Sequence, residues 1–211
     1  MKTLLLNGSP NEKGSTWTAL SYIADSLIEE GVEAEIFHVT NTPIPGCNAC
    51  YVCRQNATNR CMMQEDIVNV IIDKVKAADA FVIGSPVYYA APNGHLLAIL
   101  DRVFFSGIKN FAGKPAAAVC ALRRGGGTAA LEVLHKYFTI AGMPIAPSTY
   151  WPMIHGRLPE EIPQDKEGMQ EMQMLGKTIA WMLKCFELGR AAGMGYPEVP
   201  GGEKVMTNFI R

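Results

Sequence analysis

The sequence lacks the signals of a membrane or exported protein. Its 211 residues contain no apolar run near the roughly 20 residues that a membrane-spanning helix needs. The opening stretch, MKTLLLNGSP, has one Lys and only three consecutive Leu residues, which is too short a run for a signal peptide and is typical of a buried strand. We therefore expect a cytoplasmic protein with no membrane partner.

The sequence also lacks a concentration of charge of one sign. Its 19 Lys and Arg residues are scattered among 20 Asp and Glu residues, and the formal net charge is −1. Without a basic stripe, a nucleic-acid partner is not expected. Hydrophobic residues make up 48% and charged residues 18%, which indicates a globular chain rather than a disordered one.

Two kinds of apolar segment alternate along the chain. Five short runs are strand-like, and the stretches between and after them have apolar residues at helical spacing. The strand-like runs are 3–6, 33–39, 80–84, 115–122 and 144–149. This alternation predicts an α/β fold, a flavodoxin-like doubly wound sheet of five parallel strands in the order 2-1-3-4-5. We expect this domain to span residues 1–190 and the Gly- and Pro-containing residues 191–211 to form an extended C-terminal arm.

The loop after the first predicted strand, residues 7–16, has the composition of a phosphate site. Gly8 and Gly14 permit tight turns, and Ser9, Ser15 and Thr16 place hydroxyls beside the free N–H groups of a helix start. The loop is neither a Walker A motif nor GxGxxG. An ordinary helix N-cap by Ser15 is the alternative interpretation.

Two further loops follow the third and fourth predicted strands. In residues 84–94, the adjacent Tyr88 and Tyr89 are placed to frame a flat ring, or else they pack over the sheet edge. In residues 121–128, three consecutive glycines allow close backbone approach to a ligand, and Arg123 and Arg124 add positive charge. The alternative for this last loop is a flexible segment with two solvated arginines.

Together these loops resemble the flavodoxin-like NADPH-dependent FMN reductase family over about residues 2–150. The most specific motifs are NGSP…GST at 7–16, GSPVYY at 84–89, and Leu100-Asp101-Arg102 at the end of the third main helix. The resemblance implies an FMN-dependent oxidoreductase that passes electrons from NAD(P)H to a small acceptor such as a quinone, a nitro compound, a flavin or a metal ion. Because the chemistry belongs to N5 of the FMN ring, no catalytic side chain is expected.

The resemblance also assigns the flavin contacts. The first loop would bind the FMN phosphate, the second would contact the ribityl chain and ring, and the third would border the pyrimidine edge. In that order the residues are Ser9, Asn11, Ser15 and Thr16; Pro86, Val87, Tyr88 and Asn93; and Arg123, Arg124, Gly125, Gly126 and Thr128. A site for one phosphate, with no pyrophosphate fingerprint, predicts FMN rather than FAD.

Four of the six cysteines lie within 15 positions of one loop, which we define as residues 43–64 and call the cysteine loop. They are Cys47, Cys50, Cys53 and Cys61. The residues alone fit four interpretations of this loop: structural disulfides, a zinc site, a redox-active thiol pair or the ligands of an iron–sulfur cluster. A reducing compartment favours metal binding or redox chemistry over structural disulfides. The four histidines are spread out and are interpreted as structural.

Within the family, the cysteine loop resembles that of the iron–sulfur flavoproteins, whose C-x2-C-x2-C-x4–7-C set binds a [4Fe–4S] cluster. The spacing 47, 50, 53, 61 lies in this range. The resemblance implies an alternative function, an electron carrier between a redox partner protein such as ferredoxin and an acceptor. A loop without a cluster, in which Cys50 and Cys53 form a reversible disulfide, is the other interpretation.

A homodimer or homotetramer is also expected. The flavin cleft of this fold is shallow, and the resemblance implies that a neighbouring chain helps to wall it. Aromatic residues suit such interfaces, and several candidates lie outside the five βα units. They are Tyr150, Trp151, His155 and the terminal residues 208–211.

Overall fold

A parallel sheet forms the centre of the protein. The structure is a computed structural model that describes residues 1–56, 58–202 and 204–207. Five parallel strands lie in the order β2-β1-β3-β5-β6, and a two-residue strand, β4, pairs antiparallel with β3. The strands are β1 Lys2–Asn7, β2 Glu33–His38, β3 Ala80–Tyr88, β4 Ala91–Pro92, β5 Ala116–Leu122 and β6 Met153–His155. The predicted flavodoxin-like order of the parallel strands is confirmed.

Helices cover both faces of this sheet. One face carries α1 and α6, and the other carries α3, α4 and α5, whereas the short α2 lies in the cysteine loop. The bounds are α1 Ser15–Glu29, α2 Val52–Gln55, α3 Val68–Ala77, α4 Gly94–Gly107, α5 Gly127–Ile140 and α6 Lys166–Ala191. Within the ranges that the structure describes, no helix combines the length and apolarity needed to cross a membrane.

The central strands are hydrophobic on both sides because both sides are covered. In β1, Leu4 and Leu6 pack toward the α3–α5 layer, whereas Leu5 packs toward α1 and α6, and all three are fully buried. A parallel strand buried on both faces has this near-continuous apolar sequence. The LLL run therefore forms a strand that is buried on both faces, as its lack of polar alternation predicts.

The predicted strand at 144–149 is wrong. Ile145 makes only an isolated parallel bridge to Ala116, and the edge strand β6 instead comprises Met153–His155. Pro144 and Pro147 lack the N–H groups that a ladder requires, so continuous pairing is not available there. The chain leaves the sheet edge after residue 146 and returns to it at residue 153.

The side chain of Glu171 holds this excursion in place. One carboxylate oxygen accepts a hydrogen bond from the Thr149 hydroxyl, and the other accepts from the Tyr150 backbone N–H at 2.7 Å. Burial alone would raise the pKa of Glu171, but these hydrogen bonds outweigh it and lower the pKa, so the carboxylate stays charged. A side chain of α6 thus replaces the strand pairing that the prolines prevent.

The C-terminal segment turns back to the sheet after α6 ends at Ala191. Residues 192–202 and 204–207 contain no helix or strand. The Tyr196 ring lies against Gly113 and Gly142, both in left-handed conformations, and a Cβ at Gly113 would stand 2.9 Å from Tyr196 Cδ2. The predicted interface residues 208–211 lie outside the described residues.

Candidate functional site

The loop after β1 is organised by Asn7, a residue to which the sequence motif assigned no role. Its Oδ1 accepts from the Ser9 backbone N–H at 3.1 Å, and its Nδ2 donates to the Glu12 carbonyl at 2.9 Å. The Ser9 hydroxyl accepts from the Asn11 N–H at 3.1 Å, and His38 Nε2 lies 2.8 Å from the Ser9 carbonyl oxygen. These hydrogen bonds order the loop.

Helix α1 begins without a side-chain cap. Its N-cap is Gly14, and no side chain bonds there, so the alternative in which Ser15 caps the helix is wrong. The N–H groups of the first turn point out of the helix, where they and the helix dipole suit an anion. Ser9 and Thr16 are buried, Ser15 is half-buried and Asn11 is exposed, and all four lie around this helix start.

The first and second loops are joined by their backbones. The Gly8 N–H donates to the Gly84 carbonyl at 2.8 Å. A Cβ at Gly8 would stand 2.8 Å from that oxygen and 2.4 Å from Leu96 Cδ2, so only glycine permits this approach. The two GS-containing motifs of the sequence therefore meet in space.

The second loop is a tight hairpin between β3 and β4. Its two turn residues, Tyr89 and Ala90, have φ of 51° and 60°, a conformation that two-residue hairpins usually fill with Asn-Gly. Left-handed backbone at non-glycine residues costs about 1–2 kcal/mol each and is concentrated at functional sites. Tyr89 is entirely exposed and Tyr88 is 47% exposed, so Tyr89 does not pack over the sheet edge.

Asn93 connects this hairpin to α4. Its Oδ1 accepts from the His95 N–H at 2.8 Å as the helix N-cap, and its own N–H donates to the Ser85 hydroxyl at 3.0 Å. Asn93 is buried, and its amide oxygen is engaged in capping. This bond uses one of the two lone pairs of Oδ1, and the side-chain amide nitrogen also suits the predicted contact with FMN. Pro86 and Val87, half-buried, continue β3 toward the hairpin.

The third loop follows β5 and lies directly on the hairpin. Gly126 has φ of 89° and is the N-cap of α5, and a Cβ there would stand 2.7 Å from Ala90 Cα. Gly125, in contrast, has open space around its Cα. Arg123 and Arg124 are exposed, as is Thr128. The three loops that carry the predicted flavin contacts thus form one continuous rim at the carboxyl ends of β1, β3 and β5.

The four cysteines of the cysteine loop line one small cleft, with a volume of about 20 Å³. Cys53 and Cys61 are buried, whereas Cys47 and Cys50 are exposed. Burial raises the pKa of the Cys53 thiol. All six cysteines lie within the described residues and are free, so the disulfide between Cys50 and Cys53 is not formed here.

The backbone of the cysteine loop is strained. Ala49, Tyr51 and Asn59 adopt left-handed φ of 54°, 59° and 53°. Two of them flank Cys50, whose N–H donates to Asn48 Oδ1 at 3.3 Å. Conformations of this kind persist only where surrounding contacts hold them.

Arg102 of α4 supplies the central contact of the loop. It is 1% exposed, and all five of its N–H donors have acceptors. Nη1 donates to the Pro45 carbonyl at 3.1 Å and to Asp66 Oδ2 at 2.5 Å, and Nη2 donates to the Met63 carbonyl at 2.9 Å and to Asp66 Oδ1 at 3.2 Å. The fifth donor, Nε, points to Cys61 Sγ at 3.3 Å.

The Leu100-Asp101-Arg102 motif was predicted at a helix end, which is wrong because α4 continues to Gly107. Burial alone would lower the pKa of Arg102, but the hydrogen bonds to Asp66 and Cys61 outweigh it and raise the pKa. The guanidinium is therefore a permanent buried cation. The sequence motif marked this residue, but not its contacts with the cysteine loop.

The cleft contains the residue type, and the number of residues, that an iron–sulfur cluster takes as ligands. No group of three or more His, Cys, Asp or Glu side chains in the described part of the chain is arranged to hold a metal ion. A [4Fe–4S] cubane instead takes one thiolate at each of four irons, so its ligands surround a volume. Four cysteines around one cleft, with an N–H donor aimed at one sulfur, match that donor set.

The aromatic residues predicted at a subunit interface lie at the β6 edge. Tyr150 and Trp151 are 55% and 53% exposed, and their ring centroids are 4.7 Å apart. His155 ends β6, and its Nδ1 lies 3.0 Å from Asp165 Oδ2. This pairing accords with a structural interpretation of His155, although its ring remains partly exposed.

Comparison with known proteins identifies the family. The NADPH-dependent FMN reductase family model matches residues 1–157. An iron–sulfur flavoprotein of Methanocaldococcus jannaschii is 29% identical over 198 residues, which cover 89% of this chain and 100% of that protein. A second iron–sulfur flavoprotein of that organism is 30% identical over 193 residues, with coverage of 85% and 93%.

A solved structure supports the fold. RosB with bound 8-demethyl-8-formylriboflavin-5′-phosphate has a TM-score of 0.72 at 15% identity, covering 100% of this chain and 91% of that chain. The chain therefore belongs to the NADPH-dependent FMN reductase family, a family of FMN-dependent flavodoxin-like oxidoreductases, and is similar to its iron–sulfur flavoproteins, as the sequence predicted.

Proposed function

We propose that this protein is an FMN-dependent oxidoreductase that takes electrons from NAD(P)H and passes them to a small acceptor, such as a quinone, a nitro compound, a flavin or a metal ion. The observation that supports this most is the continuous rim formed by the three loops after β1, β3 and β5. Ligands of open α/β sheets bind at this edge. Bound FMN would supply hydride acceptance at N5 of its ring.

The residues of the rim have distinct tasks in this proposal. The uncapped start of α1, with Ser9, Asn11, Ser15 and Thr16, binds the phosphate, and the ordered loop requires little rearrangement to do so. The hairpin residues Pro86, Val87 and Tyr88, with Asn93, contact the ribityl chain and one side of the ring. The third loop, with Arg123, Arg124, Gly125, Gly126 and Thr128, adds positive charge beside the pyrimidine edge, where reduced flavin is negative.

A second proposal concerns the cysteine loop. Its support is the single cleft shared by Cys47, Cys50, Cys53 and Cys61. These four thiolates would hold a [4Fe–4S] cluster, which supplies one-electron transfer. The chain would then act as an electron carrier between a redox partner protein such as ferredoxin and an acceptor, alongside or instead of turnover with NAD(P)H.

Anaerobic purification tests the flavin proposal. Flavin released by heat is expected to be FMN, and the purified protein is expected to oxidise NADPH or NADH steadily when a quinone is present. Recovery of FAD alone would contradict the phosphate assignment. Bound FMN without turnover with any of the four acceptor classes would contradict the enzymatic assignment.

Two cysteine variants test the cluster proposal. Cys53→Ser is expected to lose iron, acid-labile sulfide and the broad visible absorbance of a cluster while keeping FMN, because the flavin loops lie elsewhere. Cys185→Ser is the matched control, since Cys185 is an exposed thiol on α6, outside the cysteine loop. A wild-type protein without iron or sulfide contradicts the cluster. Loss of FMN from folded Cys53→Ser contradicts the separation of the two sites.

A further inference from the structure

The backbone of Cys61 is fixed by two hydrogen bonds to one side chain. Its backbone N–H donates to Asn69 Oδ1 at 2.9 Å, and its carbonyl accepts from Asn69 Nδ2 at 2.9 Å. Asn69 lies in α3 and is itself buried. Cys47 and Cys50, which line the same cleft, are exposed. The cleft therefore contains a buried, fixed sulfur and two exposed sulfurs.

The orientation of Arg102 is fixed as firmly as that of Cys61. Four of its five hydrogen bonds hold the plane of the guanidinium against the loop, so the direction of the remaining Nε–H is determined. Asp66, which accepts two of them, is also fixed, because its Oδ1 accepts from the Val68 N–H at 3.1 Å. Four of these bonds are enough to hold the cysteine loop against α4. They do not account for the fifth donor, a charged N–H that points at a sulfur.

We propose that Arg102 is a positioning residue that raises the reduction potential of the cluster on the cysteine loop, through the hydrogen bond from its Nε–H to Cys61 Sγ. The inference rests on the second proposed function, the [4Fe–4S] cluster. Hydrogen bonds to cluster sulfurs and exclusion of solvent are the protein's means of setting such potentials. A donor stabilises the electron-rich reduced state more than the oxidised state, because negative charge on the sulfur increases on reduction.

The same contact makes the cleft asymmetric. Cys61 combines burial, a neighbouring cation and a directed donor, whereas Cys47 and Cys50 are exposed. The negative charge of Asp66 offsets the net charge of Arg102, so the effect on the sulfur comes mainly from the directed N–H dipole. A substitution that keeps the charge but removes this direction should therefore shift the potential.

Arg102→Lys is that substitution, because lysine retains the charge but lacks the planar fork of donors. The ratio of reduced to oxidised cluster at a fixed potential is expected to fall about tenfold, which corresponds to about 59 mV for a one-electron couple. The measurement is a redox titration of the purified holoprotein, followed by the electron paramagnetic resonance of the reduced cluster.

Arg60→Lys is the matched control. Arg60 immediately precedes Cys61, but its side chain is 49% exposed and pairs with Asp73 at 2.6 Å. The same charge-conserving change at this position is expected to leave the potential at the wild-type value. An equal shift in both variants would overturn the role of the directed bond.

A measurement on the wild-type protein covers the case in which Arg102→Lys does not fold. Protein labelled with ¹⁵N-arginine is reduced, and electron–nuclear double resonance is expected to detect one arginine nitrogen coupled to the cluster. A wild-type cluster with no such coupling, or an Arg102→Lys cluster with the wild-type potential, overturns this inference and leaves the cluster proposal standing. Wild-type protein without iron and sulfide overturns both.

Discussion

Substituting Gly126 by alanine would separate two of the three flavin loops. Gly126 is where the loop after β5 touches the hairpin, and the added Cβ would stand 2.7 Å from Ala90 Cα and 2.8 Å from Ala90 Cβ. Both atoms belong to a rigid turn that is already in a left-handed conformation. The contact cannot be relieved by rotating a flexible side chain, so the loop itself must move away from the hairpin.

The magnitude follows from two contributions. An alanine at φ of 89° costs about 1–2 kcal/mol whether or not the loop moves away from the hairpin. This contribution lowers the free energy of unfolding of the FMN-free protein. The overlap with Ala90 costs about 1–3 kcal/mol if the loops stay together. Moving the loop avoids the second cost but opens the flavin rim. We therefore expect FMN affinity to fall by about 1–3 kcal/mol, or roughly 5- to 150-fold.

The assay pairs urea unfolding of the FMN-free protein with fluorescence titration of FMN. Gly31→Ala is the control, because Gly31 has a similar φ of 79°, lies outside the three flavin loops, and has nothing within 4 Å of the Cβ that alanine would add. Gly31→Ala is expected to lose about 1–2 kcal/mol of stability and to keep the wild-type FMN affinity. A Gly126→Ala protein that keeps the FMN affinity of Gly31→Ala would refute the role of this contact.

Three further outcomes are expected. Ser15→Ala should weaken FMN binding by about 1.5–3 kcal/mol in the same titration, the value of a hydrogen bond to a charged acceptor; an unchanged affinity would remove Ser15 from the phosphate site. Burial alone would raise the pKa of Asp165, but the hydrogen bonds from Gly168 and His155 outweigh this effect, and the net result is a lowered pKa. Its stabilisation is therefore present above its unfolded value of about 3.9 and lost as pH falls through the folded pKa. Asp165→Asn should destabilise the protein at pH 7 in urea unfolding, and the difference from wild type should shrink below about pH 4; a difference independent of pH would contradict this. Light scattering at micromolar concentration should give a dimer or tetramer, and a fully active monomer would exclude a flavin site walled by a second chain.

The sheet was predictable because its central strands carry their own signal. LLL in β1 and the apolar runs of β3 and β5 are buried on both faces, and the intervening helical periodicity separates them. The edge strand gave no such signal. The apolar character of residues 144–149 resembles a strand, but Pro144 and Pro147 prevent pairing, and the excursion depends on Glu171, a residue more than 20 positions later. Edge positions are set by tertiary contacts that local pattern does not contain.

The meeting of the three loops was predictable from the sequence, whereas the contacts between them were not. The loops follow strands of known order, so their meeting at one edge requires only topology. The strained Tyr89-Ala90 turn has neither Gly nor Asn to mark it. The contacts of Arg102 join residues 36 to 57 positions apart, and a single sequence does not indicate which loop a buried cation will meet.

Helix α4 begins in the hairpin loop at its N-cap, Asn93, and reaches the cysteine cleft with Arg102 nine residues later. At about 1.5 Å per residue, these positions are separated by about 14 Å along the helix axis. A helix cannot lengthen or bend appreciably without breaking backbone hydrogen bonds, and no hinge interrupts this one. If electrons pass between the two sites, they do so over a separation that thermal motion of loops or domains does not gate. We therefore expect the exchange rate to be independent of solvent viscosity, unlike that of proteins whose redox centres must swing into contact.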